Sequence, residues 1–87
     1  MADEFGTFSI RVVDEDGHGV NGAKVSLAWW TLIGEPPAWD REFTDSDGWA
    51  TFEIMNRSLE TISINDEIVA EGLDKPDDGD TLSFTEP

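Results

Sequence analysis

An all-β fold, seven short strands packed as an antiparallel sandwich, is predicted for this 87-residue chain by three observations. Apolar and polar residues alternate with a period of two in segment after segment, as in strands with one face buried. Glycine, asparagine, aspartate and proline punctuate those segments at roughly the 8–12-residue spacing of a sandwich. No stretch combines a helical period with caps.

The clearest strand-turn-strand signal is Thr44-Asp45-Ser46-Asp47-Gly48-Trp49-Ala50-Thr51-Phe52. Its Asp and Ser side chains can bond nearby backbone and Gly48 supplies positive φ, so a hairpin is expected here. Ala50, Phe52 and Ile54 then point inward, alternating with Thr51, Glu53 and Met55. Upstream, residues 7–14 set Phe8, Ile10 and Val12 against Ser9 and Arg11, a first strand after a frayed lead at 1–6. Glycines and an asparagine at 17–22 make a loop tolerant of left-handed backbone. Val25, Leu27 and Trp29 share the inner face of a second strand, with Lys24, Ser26, Ala28 and Trp30 opposite. Gly34-Glu35-Pro36-Pro37 takes the chain out of the sheet, because proline cannot donate to a central ladder. Trp39, Arg41 and Phe43 share one face of a third strand. A fifth strand at 59–64, with Ile62 and Ile64 inward, enters a tight Asn65-Asp66 turn into a short sixth at 67–71. An exposed acidic loop at 72–80 precedes a seventh marked by Leu82 and Phe84.

A chain of this size buries only about 60–65% of the surface it exposes when unfolded, so its core is modest. Its 38% hydrophobic content, with five phenylalanines and four tryptophans, still exceeds that of a disordered acidic tail, and one folded domain is expected over 1–87. No cysteine is present to form disulfides or a thiolate metal site. Twenty acidic against five basic residues give a net charge of -15, which disfavours nucleic acid and anionic lipid as partners. Spread over the whole chain, with only two lysines, the acids suit a halophilic protein whose self-repulsion is screened by salt. No apolar run reaches membrane-spanning length, so membrane insertion is not expected. A native start at Met1 would imply the cytoplasm; a fragment of a longer protein would imply the cell surface or secretion.

Val13-Asp14 through Gly17, Val20, Gly22-Ala23, Val25-Ser26-Leu27, Thr44-Asp45, Gly48, Ala50 and Phe52 resemble the carboxypeptidase regulatory-like domain, with an echo at Gly79-Asp80-Thr81-Leu82. The resemblance implies a transthyretin-like (prealbumin-like, broadly Ig-like) seven-stranded sandwich, near the Cna-B type domains. It also implies a non-catalytic appendage of secreted or envelope proteins. A 5-hydroxyisourate hydrolase on the same fold would require several histidines and a tyrosine-containing C-terminus. This chain has one histidine, no tyrosine, and ends Phe84-Thr85-Glu86-Pro87.

Two sets of residues could carry chemistry. If successive strands run up and down, Asp14, Asp16, Asp45 and Asp47 meet at one pole and could offer oxygens to calcium, with Asp66 or carbonyls completing six to eight ligands. Against this, Asp-x-Asp-Gly is ordinary turn chemistry and lacks the distal glutamate of an EF-hand loop. Trp30, Trp39 and Trp49 form the second set: outward indoles are platforms for sugar rings or partner side chains, although packing is the commoner fate of large aromatics in so small a domain. His18 has no second histidine or serine at a useful spacing, Ser46 has no base, and carboxylate pairs are too common here to signify a glycosidase. The expected function is therefore a non-enzymatic interaction module for a protein or carbohydrate partner, more readily monomeric than homodimeric. The alternative is a structural spacer with no organic ligand, stabilised by calcium where the acidic turns bind it.

Overall fold

A computed structural model describes residues 5–87; the lead expected at 1–6 lies, for 1–4, outside the described residues. Seven strands form: β1 (Thr7–Val13), β2 (Lys24–Trp29), β3 (Ala38–Phe43), β4 (Trp49–Glu53), β5 (Leu59–Ile64), β6 (Glu67–Leu73) and β7 (Thr81–Thr85). They make a three-stranded sheet, β4-β1-β7, and a four-stranded sheet, β3-β2-β5-β6. Phe8, Ile10 and Val12 from β1 and Phe52 from β4 meet Val25, Leu27, Trp29, Leu59, Ile62 and Ile64 from the other sheet in one buried seam. Each such side chain contributes on the order of 1.5–3 kcal/mol by leaving water. Phe8 ties the sheets together, edge-on to Trp29 with ring centroids 6.2 Å apart and 5.8 Å from Phe52.

Four expectations need correction. The pair β1–β7 is parallel, so the smaller sheet is mixed. The Asp45–Gly48 turn does not make a hairpin: β3 and β4 belong to different sheets, and the turn is a corner between them. β6 is not short, since it runs seven residues to Leu73 and keeps Gly72, at φ 64°, within the strand. The 74–80 connection is not wholly exposed, because Pro76 is buried. The Asn65-Asp66 turn forms as expected, both residues adopting positive φ (51° and 70°) as two-residue hairpins favour. Among the described residues no helix is long and apolar enough to cross a membrane.

Candidate functional site

Two five-residue turns at one pole are built alike. In Asp14-Glu15-Asp16-Gly17-His18, Asp14 Oδ1 accepts the N–H groups of Asp16 (2.9 Å) and His18 (3.0 Å). In Asp45-Ser46-Asp47-Gly48-Trp49, Asp45 Oδ1 accepts those of Asp47 (2.9 Å) and Trp49 (3.0 Å). In both, the glycine N–H donates to the first aspartate's carbonyl (3.0 Å each) and the first aspartate's N–H to the carbonyl of the fifth residue. The His18 and Asp16 amides hold the Asp14 carboxyl below its ordinary range; the Trp49 and Asp47 amides do the same for Asp45. A side chain on Gly19 would strike the Asp47 carbonyl, and one on Gly48 the Val12 carbonyl, so the turns meet backbone to backbone. Buried Thr44 completes the corner, accepting from the Ala23 N–H (2.9 Å) and donating to the Val20 carbonyl.

The first-second and third-fourth connections thus do share a pole, but the four aspartates do not form one cluster. The group whose ligand atoms lie within 4.8 Å of one another is Asp14, Asp16 and His18, without Asp45 or Asp47. The leading carboxylate of each turn is already engaged by its own backbone, which is a turn-closing role.

The three tryptophans separate too. Trp49 lies on the outer face of the β4-β1-β7 sheet, half-buried, with the Arg11 guanidinium 5.8 Å from its ring. Arg11 Nε donates to the Asp47 carbonyl (3.1 Å), and beside it the Ser9 and Thr51 hydroxyls bond each other (3.0 Å). On the β1–β4 half of this face Ser9, Arg11 and Thr51 thus pair within the chain, whereas Thr81, Ser83 and Thr85 of β7 are exposed.

Trp39 lies on the outer face of the other sheet, 76% exposed. Register places Trp39, Ala28, Thr61 and Glu71 in one row across all four strands, and Arg41, Ser26, Ser63 and Ile68 in the next. Small residues in the two central strands between large ones on the edge strand leave a groove of about 490 Å³, lined by Ser26, Ala28, Trp39, Arg41, Thr61 and Ser63. Phe43 (61% exposed) and Ile68 (56%) stand on the same face. Trp30, just past β2, is 53% exposed, with its backbone N–H donating to the Ser58 carbonyl (2.9 Å). Asp40 also borders the groove, where its Oδ2 accepts from the indole of buried Trp29 (3.0 Å).

The loop leading into β3 is anchored by an ion pair that residue order alone does not reveal. Glu35 receives both Arg57 amino groups (2.9 and 3.0 Å) and the Leu32 N–H (2.6 Å), while Arg57 also reaches the Trp30 carbonyl (3.3 Å). Arg57 chiefly, and the Leu32 amide next, hold the Glu35 carboxyl below its ordinary range.

Strand parity indicates that Trp30 and Trp49 face outward and that Trp39 shares a face with Arg41 and Phe43; which sheet each belongs to depends on pairing between distant strands. The groove's hydroxyls carry no sequence signal beyond lying opposite Val25, Leu27, Ile62 and Ile64 in the alternation. Comparison with known proteins returned no match, whether to a family model, a curated protein or a solved structure.

Proposed function

We propose that this chain is a non-enzymatic interaction module whose contact surface is the outer face of the β3-β2-β5-β6 sheet. One observation carries the reading. Of the seven large hydrophobic residues exposed among those described, six (Trp30, Leu32, Ile33, Trp39, Phe43 and Ile68) lie on this sheet or the loop between β2 and β3; only Phe5 lies elsewhere. A gathering of exposed apolar side chains rimmed by polar ones is the usual mark of a binding surface. Hydroxyl-radical footprinting of the full chain, in buffer and in extract of its source, is the test. Protection of Trp39, Phe43 and Ile68 in extract, with Phe5 unchanged, is expected; equal labelling in both would end the reading.

A 3 + 4 arrangement of seven strands and the turn motifs at 13–27 and 44–52 support membership of the carboxypeptidase regulatory-like group and a prealbumin-like topology. The acidic balance supports a halophilic origin. A spacer role draws on one specific feature. Because β1 and β7 are parallel neighbours, the start of β1 and the end of β7 lie at opposite ends of their sheet.

A further inference from the structure

Resting on that reading of the contact face, we infer that the groove beside Trp39 takes a neutral sugar residue of an oligosaccharide. Four polar groups lining it, the hydroxyls of Ser26, Thr61 and Ser63 and the guanidinium of Arg41, have no hydrogen-bond or ion-pair partner among the described residues. The tryptophan of the opposite sheet differs in its surroundings: Trp49 is covered by Arg11, which also bonds the Asp47 carbonyl, and the neighbouring Ser9 and Thr51 hydroxyls bond each other.

The chemistry of the lining selects the ligand. An exposed indole offers its electron-rich face to the polarised C–H groups of a pyranose ring. Serine and threonine hydroxyls both donate and accept, and a guanidinium donates, so together they match the mixed donor-acceptor pattern of sugar hydroxyls. The floor of Ser26, Ala28, Thr61 and Ser63 is low enough for a ring to lie against it, and about 490 Å³ falls within the roughly 300–1,000 Å³ typical of small-ligand sites.

Charge excludes the competitors. A net charge of -15 repels a polyuronate, a phosphate ester or a second copy of this chain at long range. A basic protein would be drawn instead to the carboxylates elsewhere on the surface. Arg41 is the one cation lining the groove, Glu71 stands at the far end of the Trp39 row, and the Asp40 carboxylate is turned to Trp29, so the groove is nearly neutral within an acidic shell. A ligand without net charge gains most there and loses least on approach.

Calorimetry with neutral linear oligosaccharides of glucose, galactose, mannose and xylose, and a polyuronate control, at low and high potassium chloride, tests this. Saturable binding of at least one neutral oligosaccharide is expected, insensitive to salt. It should weaken at least about tenfold, a difference of about 1.4 kcal/mol, in Trp39→Ala, stay within about twofold in Trp49→Ala, and be largely retained in Trp39→Phe. Amide shifts on titration should fall at Ser26, Ala28, Thr61 and Ser63. Silence across the panel, preference for the polyuronate, or binding that survives Trp39→Ala would overturn the inference. Protection of Trp39 in source extract alongside a silent panel would remove the sugar and leave the contact face standing.

Discussion

The two outer faces are made from the same few residue types and differ in how those residues meet. On the smaller sheet, Trp49 on β4 stands opposite Arg11 on β1, and Thr51 opposite Ser9, so each pair closes across strands. On the larger sheet, Trp39 and Arg41 lie two apart on the same edge strand, opposite Ala28 and Ser26, which are too small to reach them. Cross-strand neighbours are the units that stabilise a sheet face. Where they match, as between β1 and β4, the pair closes; where a large residue faces a small one, a groove remains with its polar groups free.

That contrast can be broken or sharpened experimentally. The largest effect is expected from Gly48→Ala, because positive φ and the Val12 carbonyl both oppose a side chain where the smaller sheet's corner meets the first turn. Crowding alone should cost about 1–3 kcal/mol, read as a lower denaturation midpoint. Arg11→Ala should cost about 0.5–1 kcal/mol through loss of the Trp49 contact. Arg41→Ala and Trp39→Ser should each stay within about 0.5 kcal/mol of the parent, because no intramolecular interaction of theirs is lost. Equal destabilisation by Arg11→Ala and Arg41→Ala would erase the distinction between the faces.

Acid supplies another probe. Asp14 and Asp45, lowered from 3.8, and Glu35, lowered from 4.5, are held down by hydrogen bonds that exist only in the folded state. Each therefore contributes stability above its unfolded pKa and loses it as the pH falls through the folded one. Stability should decline below about pH 4.5, and Asp45→Asn should flatten part of that decline, as read from urea midpoints across pH. The smallest effect is expected from calcium. With Asp14 Oδ1 and Asp45 Oδ1 engaged by backbone, calcium in moderate salt should leave the thermal midpoint unchanged, whereas potassium chloride should raise it by screening the -15 charge. A saturable calcium response abolished by Asp16→Asn would assign a metal role to the first turn.

Strand positions were legible because alternation and turn chemistry are local: Phe8, Val25, Phe52 and Ile64 all lie in the core they mark in the sequence. The pairing was not. The Asp45 turn has the local form of a hairpin, but whether its flanking strands pair is decided by β2 and β1, which capture β3 and β4 into separate sheets. The direction of β7 likewise depends on where the 74–80 connection crosses, and no residue within the strand encodes it. For the candidate surface, parity was enough to turn Trp30 and Trp49 outward and to put Trp39 on one face with Arg41 and Phe43. Only register separates the indole covered by arginine from the one left bare, and only register reveals that Ser26 and Ser63 share a row.

Trp49 is covered from within the chain and Trp39 is left bare, and acrylamide quenching of variants retaining a single tryptophan separates the two. With Trp39 alone, emission should be red-shifted and quench nearly as freely as an indole in solution, at every protein concentration; with Trp49 alone it should quench less, and with Trp29 alone least. A Trp39 signal as blue-shifted and protected as that of Trp29 would mean the open face is already covered, contradicting the account.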